Sequence, residues 1–324
     1  MARRRGSIVT APLITIGITC YNAADTISRA IDSALCQDWP SFEVIIVDDR
    51  STDGSVRIIE EFISREPRAR LIVHERNTGV AAARNTIIEN ARGDFVAYFD
   101  DDDVSVPDRL RAQWRRLVDY ERAAHARLVF CYSNRNVVPY GAREPSHISF
   151  GVGHRSPEPY GRAVADFLLS LGAEPAFVWG QLGSCTLMAR RQSLIEVGAF
   201  DANFRRCAEL DLAIRAAFMD ANFIAVDRPL ITQYKTLSSD KANAEPLRYQ
   251  LRLRDKHRNY LKSRNFYWTS RAIARADFQG FRSEFWKSRA WRLLAWALSP
   301  RLLRSELRKR LGVAPRVDSR NVGT

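Results

Sequence analysis

Between residues 13 and 133, short apolar runs alternate with segments of helical period, and this alternation limits the possible folds more than any other feature of the chain. The pattern is that of successive βαβ units and predicts a doubly wound α/β fold, a mostly parallel sheet flanked by helices. Strands are predicted at 13–19, 42–47, 70–74, 95–99 and 128–133. Helical spacing is kept by Ile27, Ile31, Ala34 and Leu35, then by Val56, Ile59, Phe62 and Ile63. A third helix is predicted at 80–91, bounded by Gly79 and Gly93. In such folds ligands gather beyond the carboxyl ends of the parallel strands, so the residues following each strand are where chemistry is expected.

Two of those strand ends are acidic. Segment 42–47 leads into Asp48 and Asp49, followed by Ser51, Asp53 and Gly54, and 95–99 leads into Asp100, Asp101, Asp102 and Asp103. A single aspartate at such a place, Asp53 or Asp108 for example, reads equally well as a turn-former or helix cap and as a functional group. Four consecutive carboxylates repel one another and destabilise the rim of a sheet unless a cation neutralises them. Hard oxygen donors of this kind suit Mg2+ or Mn2+, with water and a diphosphate completing the shell.

The 324 residues carry 50 basic and 37 acidic side chains, and the excess is not spread evenly. Residues 1–243 hold 30 basic and 31 acidic groups, whereas residues 244–324 hold 20 and 6, together with four of the seven tryptophans. A neutral body with a basic tail suggests chemistry in the body and an anionic surface for the tail; no nucleic-acid recognition motif accompanies the charge. Cys20, Cys36, Cys131, Cys185 and Cys207 form no CxxC pair and are expected to be reduced and structural. No stretch approaches the roughly 18 apolar residues of a membrane span, and the polar N-terminus does not read as a signal peptide, so a cytosolic location is expected.

Residues 134–180, broken by Pro139, Pro145, Pro157 and Pro159, read as a loop-rich insertion with a helical patch at 164–171. A strand is then expected at 184–189, with helices at 191–197 and 208–219. His74, His125, His147, His154 and His257 show no ligand spacing and are expected on the surface or in structural roles. In the tail, 247–261 reads as a basic helix. Segments 285–298 and 301–310 interleave Trp291, Leu294, Trp296, Leu302 and Leu303 with Lys287, Arg289, Arg292 and Arg304, a pattern suited to the headgroup layer of an anionic bilayer.

Four motifs in order complete the pattern: Thr19-Cys20-Tyr21-Asn22; Val47-Asp48-Asp49-x-Ser51-x-Asp53-Gly54; Asn77-x-Gly79 through Arg84-Asn85; and Gly93-Asp94 through Asp100-x-Asp102-Asp103. With these motifs the chain, over about residues 13–235, resembles the family 2 glycosyltransferases of the GT-A fold. The resemblance implies that Tyr21 begins a loop over the base, that Asp48 and Asp49 hold uracil and ribose, and that Arg84 lies near the nucleotide. It also implies that Asp100 and Asp102 are the outer members of a DxD motif, with Asp102 ligating Mn2+ or Mg2+ and Asp103 the third acidic residue that often follows.

The acceptor half departs from the family's pattern. Cys207-Ala208-Glu209-Leu210-Asp211-Leu212 is similar to a stretch that usually reads Glu-Asp-x-Asp-Leu, whose first Asp is the general base, so Glu209 takes that role. Asp211, two residues further along a helix, is expected to be structural. In 231–236, where many relatives carry an Arg or His against the diphosphate, Lys235 supplies the charge and no His completes a metal shell.

The resemblance divides the chain into a basic tail (1–12), a GT-A domain (13–243, with a nucleotide-sugar half at 13–133 and an acceptor half at 134–243) and a basic, Trp-rich helical extension (244–324). It implies an inverting, metal-dependent transferase that takes a nucleotide-sugar donor, UDP-linked by the acidic base site. The acceptor is expected to be a saccharide or lipid-linked saccharide at the inner face of the membrane, in cell-surface polysaccharide synthesis. Two other readings stay open: a Mg2+-dependent nucleotidylyltransferase, and a membrane-docked scaffold that binds nucleotide-sugar without catalysis.

Overall fold

The structure, a computed structural model, describes residues 11–235 and 245–300. These divide into two compact units, the first of 11–168 and 172–235, the second of 169–171 and 245–300. Expectations for the first ten residues, for Thr236 and for 301–310 lie outside the described residues.

The first unit opens with β1 (Ile14–Cys20), α1 (Ile27–Leu35), β2 (Phe42–Asp48), α2 (Ser55–Ile63), β3 (Ala69–Val73), α3 (Val80–Asn90) and β4 (Phe95–Asp100). β1 pairs in parallel with both β2 and β4, and β2 with β3. Ile14, Ile16 and Ile18 are wholly buried while Thr15 and Gly17 face the other side, because helices cover both faces of this sheet. A Cβ at Gly17 would stand 2.5 Å from Ile87 Cγ2 on α3, so a larger residue there would displace that side chain. Ile27, Ile31, Val44, Ile46 and Phe99 close the opposite face in one core cluster.

Beyond β4 the sheet becomes mixed. Next come β5 (Val104–Ser105), α4 (Arg109–Ala124), β6 (Val129–Val138), β7 (His147–Ser149), α5 (Arg162–Leu168), β8 (Met188–Arg190), α6 (Arg191–Glu196), α7 (Ala208–Ala217) and β9 (Asn222–Tyr234). The strand order is β3-β2-β1-β4-β8-β6-β9-β5, with β7 on the side of β6. β8 runs antiparallel to β4 and β6, which joins the two halves into one sheet. The doubly wound α/β architecture with flanking helices is therefore present.

Three local expectations change. Segment 184–189 does not form one strand: Ser184–Thr186 is a 3₁₀ turn, held by the Thr186 hydroxyl on the Gly183 carbonyl at 2.8 Å, and only Met188–Arg190 pairs. The 134–180 insertion is more ordered at its start than its prolines suggest, since β6 continues to Val138 and pairs with β7 and β9. Asn134, Arg135 and Asn136 hide that continuation, because a polar stretch of strand has no apolar run to betray it. Helix α4 and strand β9 are further elements that the spacing did not mark.

The second unit is helical: α8 (Glu245–Lys256), α9 (Arg258–Ser263), α10 (Tyr267–Phe281) and α11 (Phe285–Leu298). The single helix expected at 247–261 is interrupted at His257, whose φ of −96° and ψ of 23° leave the helical region. Buried Arg254 ties this unit together, donating to the Ser270 carbonyl at 2.9 Å and to Ser170 Oγ at 3.1 Å. Among the described residues no helix is long and apolar enough to cross a membrane. All five cysteines are free thiols.

Candidate active site

The loops that follow β1, β2 and β4 converge, as strand ends do in a parallel sheet, and side-chain acceptors bind them to one another. The amides of Asn22, Ala23 and Ala24 donate to Ser51 Oγ, Ser55 Oγ and Asp53 Oδ2 at 2.9, 2.9 and 3.0 Å. In return the Thr52 amide reaches Asn22 Oδ1 at 2.8 Å, and the Tyr21 amide reaches Asp101 Oδ2 at 3.0 Å. Asn22 holds a left-handed backbone (φ 51°), which asparagine tolerates better than most residues. Tyr21, 49% exposed, lies at the mouth of this junction. Asp53 therefore joins the β1 and β2 loops and also receives the Ser55 amide at the start of α2.

Asp48 and Asp49 are both buried, and both carboxylates meet donors of the chain itself. Asp48 accepts the Ser51 amide at 2.8 Å and the Ser51 hydroxyl at 2.5 Å. Asp49 accepts from the Thr78 amide (2.8 Å), the Thr78 hydroxyl (2.9 Å) and the Gly79 amide (2.7 Å), with His74 Nδ1 at 2.8 Å. Burial alone would raise the Asp49 carboxyl, but the bonds from Thr78, His74 and Gly79 outweigh it and hold the group below its ordinary value. Gly79, at φ +93°, adopts a conformation that side chains resist, and it opens α3 directly after this clamp. His74 has the structural role expected of it: its other nitrogen, Nε2, lies 2.9 Å from Thr86 Oγ1 on α3, so it joins strand end to helix.

The acid turn comes next. Asp100 ends β4, Asp101 and Asp102 form a turn, and Asp103 precedes β5. A turn brings its first and fourth residues together, so carboxylate oxygens of Asp100 and Asp103 lie, with Cys185 Sγ, within 4.8 Å of one another. Asp102, expected to ligate the ion, is not in that trio. Burial, then the charges of Asp100 and Asp102, push the Asp103 carboxyl up to about 8, and its buried Oδ2 has no hydrogen-bond partner among the described residues. Its Oδ1 accepts the Tyr234 amide at 3.2 Å. Burial and then the Asp100 and Asp103 charges push the Cys185 thiol up to about 12, so the sulfur stays protonated and is a poor partner for a hard cation.

Solvent access separates the carboxylates. Asp103 Oδ2 is sealed from water, whereas Asp100 and Asp102 are partly exposed, and an ion shared with a soluble diphosphate must be reachable from outside. Burial, followed by the Asp100 charge, raises the Asp102 carboxyl against the pull of its own amide, Arg29 and Lys235. Two accessible oxygen donors that repel each other are a donor set that fits Mg2+ or Mn2+.

Cations frame the turn. Arg84 on α3, buried, stands 3.6 Å from Asp100, with its guanidinium 5.5 Å from the Phe200 ring centre. Arg29 on α1 donates to the Asp102 carbonyl at 2.5 Å and stacks over the Tyr234 ring at 4.2 Å. Lys235 follows β9, which pairs antiparallel with β5 and so brings 231–235 beside 103–105; its Nζ donates to Gln233 Oε1 at 2.9 Å. Beneath the turn lies Arg109, wholly buried, which sequence reasoning missed because nothing in the spacing marks α4 and an arginine beside Asp108 and Arg111 reads as exposed. It donates to the Tyr98 carbonyl (2.8 Å), Ser105 Oγ (2.9 Å) and Gln113 Oε1 (2.9 Å). Burial lowers it to about 10, which leaves it charged at neutral pH below the acid turn.

Glu209 lies in the first turn of α7, partly exposed, and its carboxylate makes no hydrogen bond or ion pair among the described residues. Its charge reaches Tyr132 on β6, whose hydroxyl is raised by burial first and by Glu209 second. Asp211 differs: wholly buried, it accepts Arg215 Nε at 2.8 Å, and Arg215 Nη2 reaches the Ala199 carbonyl at 2.5 Å, so this carboxylate supports the turn at 197–199.

Residues 15–162 match the family model for glycosyl transferase family 2. The chain is similar to the succinoglycan biosynthesis protein ExoO of Rhizobium meliloti (strain 1021), with 40% identity over 137 residues, 42% of this chain and 37% of that protein. It thus spans well under half the length of this relative. It is similar in fold to TarS 1-349 of S. aureus, solved in complex with UDP-GlcNAc (TM-score 0.55, 16% identity, 94% of this chain and 93% of that one). A second fold neighbour is the mannosyltransferase PcManGT from Pyrobaculum calidifontis, in complex with GDP-Man and Mn2+ (TM-score 0.57, 18% identity, 94% and 81%). With the four motifs at the strand ends of a GT-A sheet, residues 15–162 carry a glycosyl transferase family 2 domain.

Proposed function

We propose that the protein is an inverting, divalent-metal-dependent glycosyltransferase, moving a sugar from a UDP-sugar to a saccharide or lipid-linked saccharide at a membrane surface. The observation that carries this reading is the acid turn: Asp100 and Asp102, partly exposed at the end of a parallel strand, faced by Arg84, Arg29 and Lys235. Mutually repelling carboxylates ringed by cations suit a metal–diphosphate pair, in which each charge set is neutralised by the other.

In this reading Asp100 and Asp102 would hold Mn2+ or Mg2+, which would offset negative charge on the leaving diphosphate. Asp103 supports the turn from beneath through the Tyr234 amide, and Lys235 and Arg84 contribute positive charge on either side. Tyr21 covers the base, and Asp48 and Asp49 shape its pocket by fixing the 48–51 and 74–79 segments. Glu209, held by no hydrogen bond or ion pair among the described residues, takes the acceptor hydroxyl's proton. The freed oxygen attacks the anomeric carbon from the face opposite the leaving group, the bond to the diphosphate breaks, and the configuration inverts. The polysaccharide context is supported by ExoO, named for succinoglycan biosynthesis, and UDP by the nucleotide-sugar in the TarS complex.

Titration calorimetry of UDP, UDP-sugars and GDP-mannose, with Mn2+ and again with EDTA, tests the reading. Metal-dependent binding of a UDP-sugar is expected; tighter binding of GDP-mannose would replace the donor assignment, and no nucleotide binding at all would remove the enzyme.

A further inference from the structure

Helix α11 has two apolar faces, and among the described residues only one is packed. Ser288, Ala295 and the partly buried Trp291 lie on one side and pack on α10: Ser288 Oγ donates to the Ala276 carbonyl at 2.8 Å, and Arg275 stacks over Trp291 at 5.0 Å. At 100° per residue, Trp286, Ala290 and Leu293 fall on the opposite side, with Leu294 at its edge. Trp286 is 76% and Leu293 61% exposed, and Phe281, 78% exposed, ends the neighbouring helix α10. A surface helix of a water-soluble unit normally turns charge outward at these positions.

The edges of this face identify its occupant. Arg289 and Arg292 flank one side of the apolar strip and Lys287 lies on the other, and α11 contains no acidic residue. Arg289, stacked over Phe285 at 4.6 Å, is held at the border of the strip, and Arg292, which reaches Asp277 of α10 at 3.1 Å, stands behind it. An apolar ridge with tryptophan at its head and cations along its margins matches the depth profile of an anionic lipid leaflet, acyl chains below and phosphates level with the guanidinium groups. A second copy of the chain would bring the same cations face to face, which opposes a two-fold pairing through this strip.

We infer that the outward face of α11 is a docking surface that lies in the plane of an anionic phospholipid bilayer. The surface stands on the second unit alone; it rests on the glycosyltransferase reading only for its purpose, holding the enzyme where a lipid-linked acceptor is.

The test is flotation of the full chain with phosphatidylcholine vesicles, with and without phosphatidylglycerol, alongside Trp286→Ser/Leu293→Ser and Arg289→Glu/Arg292→Glu variants. The wild type should float with the phosphatidylglycerol vesicles, and each double variant should bind them about tenfold more weakly or less, because exposed apolar area and margin charge both contribute. Exposed positions tolerate these changes, and unaltered melting temperatures and UDP binding with Mn2+ verify the fold. Equal flotation of variants and wild type overturns the inference, as does binding that ignores phosphatidylglycerol. A wild-type dimer that the Trp286/Leu293 change dissociates, without vesicle binding, assigns the strip to a second copy instead. A chain that floats but binds no nucleotide-sugar sinks the transferase reading and leaves the docking surface standing.

Discussion

The carboxylate of Asp49 accepts the Gly79 amide at 2.7 Å, so the end of β2 holds the entrance of α3 from thirty residues away. Replacing Asp49 with Asn puts an NH2 group where only donors converge, and should cost about 2–3 kcal/mol in chemical denaturation. The native carboxyl lies below its ordinary value, so its contribution is present at neutral pH and disappears as pH falls through the carboxylate range. Asp49→Asn should therefore flatten the acid limb of the stability curve; an unchanged limb would remove Asp49 from the clamp.

Arg109 makes three hydrogen bonds in a site without solvent, and its loss strands the Tyr98 carbonyl, Ser105 and Gln113 together. Arg109→Met should lower stability by about 3–5 kcal/mol, and Arg109→Lys by less, since lysine keeps the charge without the fork. Denaturant midpoints of the two variants check the order.

Asp102 and Asp103 are neighbours with different expected effects. Asp102→Asn should weaken Mn2+-dependent UDP binding by about tenfold or more while leaving the melting temperature nearly unchanged. Asp103→Asn, which supplies a neutral side chain where the native carboxyl is pushed up to about 8, should leave binding within a few-fold. Calorimetry that finds the opposite ranking would transfer the ion to the Asp100, Asp103 and Cys185 trio.

Glu209→Gln should reduce sugar transfer by about 10²–10⁴-fold and leave donor affinity within about twofold, since general-base catalysis contributes on that scale. Initial rates at saturating donor give the answer. Full activity would point to another proton acceptor.

The donor half was legible in the sequence because its signals are local. Apolar runs marked β1, β2 and β4 to within a residue at each end, and the acidic groups at their ends follow from the topology. What the sequence withheld is long-range. The Asp49 to Thr78 clamp and the pairing of β5 with β9, where the Tyr234 amide meets Asp103, depend on residues 29 and 131 positions apart, and neither carries a periodic mark. Nor does a run of four aspartates say which of them faces water; the turn at 101–102 decides that Asp103 is sealed and Asp102 open. The 134–180 region was misread at its start because the polar half of β6 lacks an apolar rhythm.

Strand β9 pairs with β6 along ten register positions and with β5 at its far end, where the Tyr234 amide meets Asp103. The acid turn is therefore anchored to the longest strand of the sheet, and the two cannot shift independently. A ligand that pulls on the turn also loads β9, so amide exchange along 222–234 should slow on donor binding, with the sheet itself acting as the strain gauge of the site.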